Sequence, residues 1–141
     1  MERDAATKSK IKRLLMESIV LMEAAEKKDL AEALKYITDH APELLQVSMI
    51  GRVLIVVTSN YPFIQIDLDR KEVRIWEDWR ERLLTKAREN IKTLSRGLIS
   101  TLLSTNWEKE TKERIRKALE ALDREEEQLE ALKSLTTIFN V

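Results

Sequence analysis

Cysteine is absent from the 141-residue chain, which excludes disulfide bonds and thiolate metal sites and makes a reducing cytoplasm the expected compartment. Glycine is scarce, and because Gly51 and Gly97 are isolated, the sequence lacks the glycine-rich loop that cradles nucleotide phosphates. The longest aliphatic run, 53–57, is much shorter than the roughly 20 apolar residues of a membrane helix. We therefore expect a cytoplasmic protein with no membrane partner.

Histidine is limited to His40, so the usual base for an activated serine or threonine is nearly missing. Asp39, His40 and Glu43 could share a metal ion, but zinc or iron needs three or four ligands in a fixed geometry. His40 fits better as a residue facing the carbonyl end of a helix. The neighbouring carboxylates at 77–78 and 125–127 fit helix capping and a solvated helix surface. We predict no catalytic residue, no cofactor and no metal, and hence a protein that is not an enzyme.

Charged residues are abundant, at 35% of the chain, and 25 basic residues balance 25 acidic ones. Together with only two glycines and two prolines, this composition is typical of a protein from a thermophile. A chain of this length suits one domain and can bury about two-thirds of the surface that it exposes when unfolded. We expect residues 1–141 to form a single domain with its own core.

Apolar residues recur at three- and four-residue spacing in the first forty positions, which is the pattern of amphipathic helices. The same spacing returns after residue 77, where two helices are expected to pair as a long C-terminal helical hairpin. Three capping boxes mark helix starts, at Asp29 with Glu32, Asp78 with Glu81, and Thr105 with Glu108. The predicted helices cover residues 7–27, 30–40, 78–104 and 106–138.

Between the helix pairs the apolar spacing changes to two, which predicts β-strands over 51–58, 61–68 and 72–76. Short turns separate them, so a three-stranded antiparallel meander is the expected arrangement. The first strand is apolar on both faces, and such a strand is normally covered on both sides. The sequence thus predicts an α+β fold, in which a helix pair, the meander and the helical hairpin follow one another.

The two-sided first strand and the amphipathic last helix together offer more apolar surface than one copy is expected to bury. We therefore predict a non-catalytic assembly or adaptor protein that acts through homo-oligomerisation, most simply as a homodimer, and through contacts with another protein. The residues predicted to form the protein interface are Val53, Ile55, Val57, Leu129, Leu132, Leu135 and Phe139.

A basic stretch supports one alternative, because residues 70–96 hold nine basic and five acidic residues. Bases stack on aromatic rings while Lys and Arg neutralise phosphates, so this stretch could bind nucleic acid. Tryptophans packed beside the sheet, with the long basic side chains in water, would explain the same residues. The candidate nucleic-acid contacts are Arg74, Trp76, Arg80, Arg82, Lys86, Arg88 and Lys92.

The chain's last residues support another alternative, because Leu135 and Phe139 continue the helical spacing to the terminus. The segment Leu135-x-x-Ile138-Phe139 resembles the sliding-clamp-binding (PIP) box of archaeal and eukaryotic replication proteins, with Leu132 where that family has glutamine. The resemblance implies that Leu135, Ile138 and Phe139 would enter a clamp pocket from one helical turn. The protein would then be a DNA replication or repair accessory protein. If the tail is instead the docked end of the last helix, these residues are core.

Overall fold

The computed structural model describes residues 2–58, 61–103 and 107–140, with side chains from Thr7 onward except that of Tyr61. Within these ranges the predicted α+β fold is confirmed. In the order of the chain, α-helices come before and after one antiparallel sheet. The helices are α1 (Glu2–Ala25), α2 (Leu30–His40), α3 (Trp79–Leu103), α4 (Lys109–Leu122) and α5 (Gln128–Phe139). The strands are β1 (Gln46–Ile50), β2 (Val53–Thr58), β3 (Tyr61–Asp67) and β4 (Glu72–Ile75).

The described sheet has four strands in the order β1-β2-β3-β4, so the predicted count of three was wrong. The missed strand, β1, has the sequence QVSMI, whose Gln, Ser and Met give a weak strand signal. It pairs with β2 across the two-residue loop Gly51–Arg52. Gly51 has a φ of +60° at the first loop position, a conformation that glycine adopts without strain and that tight hairpins need.

The predicted helix over 106–138 is divided into α4 and α5 by the 3₁₀ turn Glu125–Glu127. The dividing segment, 123–127, is entirely charged. A continuous helix would therefore have no apolar side chain to bury over these five residues. Arg124 forms an ion pair with Glu127 across the turn. The helical hairpin near the C-terminus is therefore made by α4 and α5, which pack against each other.

Helix capping follows the sequence prediction at the first box, where the Asp29 carboxylate accepts a hydrogen bond of 2.9 Å from the backbone N–H of Glu32. At the second box the Asp78 carboxylate accepts a 2.8 Å bond from Nε of Arg82. This bond to the guanidinium is the main reason why the pKa of Asp78 is lowered. The third box lies outside the described residues, because Thr105 is not described.

Residues 1–141, predicted as one domain, divide into two compact units. The helical unit comprises 1–19 and 87–141, and its core includes Leu15, Leu94 and Ile115. The sheet unit comprises 20–86 and holds all four strands together with α2. The helical unit thus combines two segments that are distant in sequence. The sheet unit is one continuous segment, which combines the sheet with helical residues that precede and follow it.

In the helical unit, α1 and α3 approach each other at Ile11 and Gly97. A Cβ atom placed on Gly97 would lie 3.5 Å from Cγ1 of Ile11, which is an ordinary van der Waals distance. Gly97→Ala is therefore expected to raise the free energy of unfolding by about 0.5–1 kcal/mol, because alanine favours the helix and fits the space. Chemical denaturation measures this gain.

Gly97→Leu is the matched control, since its further atoms must displace Ile11 and should remove the gain. If Gly97→Ala instead lowers the free energy of unfolding, the added methyl group must lie closer to Ile11 than the 3.5 Å between Cβ and Cγ1 given above.

In the sheet unit, Phe63 is the largest fully buried side chain and anchors β3. Its backbone carbonyl accepts a hydrogen bond of 2.9 Å from the N–H of Trp76, just after β4. The guanidinium of Arg80 donates bonds of 2.8 and 2.7 Å to the carbonyls of Lys27 and Lys28, which follow the end of α1. These contacts attach the sheet and the start of α3 to the chain that joins α1 and α2.

Candidate functional site: the apolar face of the sheet

The strand register sorts the sheet residues onto two faces, because directly paired residues lie on the same side. One face is aliphatic throughout two neighbouring cross-strand rows. Its first cross-strand row is Val47, Val56, Ile64 and Ile75, and its second row is Met49, Leu54, Ile66 and Val73. We call these eight residues the apolar face.

The apolar face is open to solvent. Its outer residues Val47, Met49, Val73 and Ile75 expose 63%, 55%, 62% and 52% of their surface. The inner residues, on β2 and β3, are only half-buried. With about 100 Å² exposed by each outer residue, those four expose roughly 400 Å² in total, which is the size of the largest apolar patch on a typical monomer, a patch that is often functional.

The opposite face mixes polar and apolar residues, as in an ordinary sheet surface. One of its rows is Ser48, Ile55, Gln65 and Arg74, and another is Ile50, Val53, Asp67 and Glu72. Three of the residues predicted for the interface, Val53, Ile55 and Val57, are half-buried on this mixed face. Their neighbours in the same strand, Leu54 and Val56, belong to the apolar face.

The remaining predicted interface residues lie in α5, within the helical unit. Leu132 and Leu135 are fully buried, Phe139 is nearly so, and Leu129 is half-buried. Trp107 meets the Phe139 ring edge-on with the ring centroids 5.6 Å apart. These side chains fill the core of the helical unit, whereas Val53, Ile55 and Val57 belong to the sheet unit.

The same placement bears on the clamp-box resemblance. Of its three anchors, Leu135 and Phe139 are buried and Ile138 is half-buried in α5. The helix ends at Asn140, whose left-handed φ of +57° is typical of a helix C-terminus. In this conformation the Leu135 and Phe139 side chains are packed within the helical unit, and part of Ile138 is exposed.

The candidate nucleic-acid contacts are distributed over both units, with Arg88 and Lys92 in the helical unit and the others in the sheet unit. Trp79 is buried, and Arg80 lies over its ring at 4.4 Å. Arg74 lies over the ring of Trp76 at 4.3 Å. Both aromatic rings are thus already in contact with guanidinium groups of the same chain.

The other basic candidates have varied surroundings. Arg82 lies 5.8 Å from the Trp76 ring and forms an ion pair of 2.8 Å with Asp78. Arg88 forms an ion pair of 3.0 Å with Glu125. Lys92 is exposed and Lys86 is half-buried. Nearby acidic side chains therefore neutralise part of the predicted basic surface.

His40 lies at the end of α2, where its Nδ1–H donates a 2.9 Å hydrogen bond to the carbonyl of Tyr36 and its ring stacks on the Tyr36 ring at 4.1 Å. This is the helix-end role expected from the sequence. The Tyr36 hydroxyl donates to Glu23. Burial, followed by this bond and the Glu23 charge, raises the pKa of Tyr36 to about 12.

No group of three or more acidic, histidine or cysteine side chains that could hold a metal ion occurs among the described residues. Within the same ranges, every helix is too short or too polar to cross a membrane.

From the sequence, Ile64 and Ile66 were expected to share one face of their strand, as were Val73 and Ile75, but that face was expected to be core. The contribution of β1, which supplies Val47 and Met49, was missed. The alternation of Ile64 with Ile66 and of Val73 with Ile75 was visible, but a face becomes apparent only once the strands are in register.

Comparison of the chain with protein-family models, with curated proteins and with solved structures finds no match, so its function has to be inferred from these residues.

Proposed function

We propose that this chain is a non-catalytic assembly protein of the cytoplasm that associates with further copies of itself through the apolar face of its sheet. The observation that carries the proposal is the aliphatic character of all eight residues in these two rows together with the exposure of the outer four. A surface of this kind that stays in water is unfavourable, and covering it is the main driving force of protein association.

Covering this face would remove apolar surface from water. If two copies cover their outer residues, roughly 800 Å² leaves water, and the half-buried residues of β2 and β3 add to this area. Burial of this kind is favourable and opposes the cost of an estimated 4–15 kcal/mol for losing the free motion of one copy.

The chemistry of the face also selects its partner. None of its eight side chains carries a charge or a hydrogen-bonding group, apart from the weakly accepting sulfur of Met49. A polar partner would lose its hydration there without gaining hydrogen bonds. A second copy offers a matching aliphatic face, and two sheets can pack face to face about 10 Å apart around a two-fold axis.

The alternatives have less support in this structure. Leu135 and Phe139 of the clamp-like tail are buried, and the rings of Trp76 and Trp79 are covered by arginines.

The test is a charge placed on the apolar face. Sedimentation of the unmodified chain at micromolar concentration should give at least twice the 16.5 kDa chain mass. Val73→Lys should lower the mass, because a lysine at this paired position must be buried against an aliphatic surface.

Glu72→Lys is the matched control, since it lies next to Val73 in β4, is equally accessible and belongs to the mixed face. The control should retain the mass of the unmodified protein. A chain that sediments as a monomer at all concentrations, or a Val73→Lys protein that retains the full mass, would refute the proposal.

A further inference from the structure

β1 is an open edge of the sheet, because within the described residues it pairs only with β2. All five of its residues are exposed, and none is charged or is a proline. Natural sheets usually protect such edges with charges, prolines or a covering element. The other edge, β4, has this protection, since Glu72 and Arg74 stand in it. In a chain of which 35% is charged, an uncharged edge strand points to a strand that pairs.

The hairpin geometry decides which backbone groups of β1 face outward. The pair that flanks a two-residue loop, here Ile50 and Val53, exchanges both backbone hydrogen bonds. Because these directions alternate along a strand, Ile50, Ser48 and Gln46 direct their backbone groups at β2. Val47 and Met49 therefore direct theirs at the open edge.

Among the symmetric registers of two β1 strands, one pairs all the outward-facing residues of both copies. If two β1 strands meet antiparallel about a two-fold axis at Ser48, Val47 of each copy lies opposite Met49 of the other. These are the two residues whose backbone groups point outward, so the pairing forms four new backbone hydrogen bonds. Ser48 of one copy then lies opposite Ser48 of the second, where no charge opposes the contact.

The same register joins the two apolar faces. Val47 and Met49 both belong to the apolar face, so the Val47 row of one copy continues into the Met49 row of the other. Each aliphatic row then runs without interruption through eight strands, twice the number in one copy. A shift by one residue would place aliphatic side chains beside the mixed face instead.

We propose that β1 pairs with β1 of a second copy about Ser48, so that two sheets form one continuous sheet. This inference deepens the proposed function and rests on it, because the enlarged apolar face must still be covered. The edge axis is perpendicular to the sheet and the face-to-face axis lies parallel to it. Two such perpendicular two-fold axes generate a closed tetramer.

A cysteine on the axis tests the edge contact, and the chain provides a clean background because it has no cysteine of its own. Ser48 is exposed, so Ser48→Cys removes no core contact. In the proposed register the two Ser48 residues form a non-hydrogen-bonded pair, with Cα atoms about 4.5 Å apart, a distance that a disulfide spans. Under mild oxidation Ser48→Cys should form a covalent dimer on the order of a thousandfold faster than a free thiol at micromolar concentration, because the paired thiols have a millimolar effective concentration.

Glu72→Cys is the control, being exposed on the other edge strand. Circular dichroism of both variants confirms that they are folded. Equal and slow cross-linking of the two variants would overturn the edge contact.

Ser48→Lys gives a second readout, because it sets two like charges directly opposite each other and should halve the mass of the assembly. An unchanged mass of Ser48→Lys counts against the inference.

The two proposals fail in different ways. Slow cross-linking at Ser48 combined with a loss of mass in Val73→Lys would leave the face contact standing and remove the edge contact. Fast cross-linking with an unchanged mass in Val73→Lys would do the reverse. A protein that is a monomer in every measurement would remove both.

Discussion

Phe63→Ala is expected to lower the free energy of unfolding by about 3–5 kcal/mol, which is among the largest losses that a single truncation produces. The Phe63 side chain is 1% exposed and is the largest fully buried one described. It lies in β3 at the register shift beside Val56 and Val57 and is not one of the eight residues of the apolar face, so we expect its packing not to depend on a second copy. Chemical denaturation followed by circular dichroism measures the loss.

Gln65→Ala is the control, because Gln65 is two residues further along the same strand and half-buried. It should change the free energy of unfolding by no more than about 0.5 kcal/mol. A loss below about 1 kcal/mol for Phe63→Ala would show that β3 is not anchored through this ring.

Leu135→Ala is expected to lower the free energy of unfolding by about 2–5 kcal/mol, because the side chain is fully buried in α5 and its removal leaves a cavity. For a protein of this length a loss of about 3 kcal/mol lowers Tm by roughly 10 °C. Calorimetry or thermal circular dichroism measures the shift.

This prediction separates a core tail from a docking tail. If Leu135 were exposed to solvent until it entered a clamp pocket, its truncation would lower the affinity for the clamp and leave Tm unaltered. Thr137→Ala, at an exposed position of the same helix, is the control and should leave Tm nearly unchanged. If Leu135→Ala behaves like Thr137→Ala, the tail is a docking segment after all.

The helices were predictable because their signals are local. The Asp29 capping box with Glu32 and the apolar period that follows it define α2 from a few neighbouring residues. The break between α4 and α5 was less predictable, because the apolar residues before and after the charged turn have the same helical spacing. Whether the chain bends there depends on whether α5 can fold back onto α4, which is a tertiary matter.

The strands divide in the same way. The strands β2 and β3 can be predicted from their aliphatic composition. β1 cannot, because Gln46 and Ser48 give only a weak strand signal. β1 exists because β2 lies beside it after a tight turn at Gly51. Strand pairing of this kind creates structure where the local preference is weak.

The choice of interface residues shows the limit most clearly. Val53 and Ile55 were selected because their strand is apolar on both faces, and the neighbouring Leu54 and Val56 could not be told from them by composition. Pairing resolves them: Val53 lies opposite Asp67, whereas Leu54 lies opposite Ile66. For Leu132 and Leu135 the hydrophobic spacing was informative, but the same spacing describes a helix packed on its own unit and a helix packed on a partner.

From its sequence alone, this protein is an α+β chain without disulfides, with amphipathic helices flanking an aliphatic meander, because hydrophobic period, capping residues and composition act over a few positions. Only the tertiary structure decides which apolar surfaces remain uncovered. That outcome depends on register and on contacts between segments far apart in the chain: α5 is buried within its unit, while one whole face and one edge of the sheet stay open.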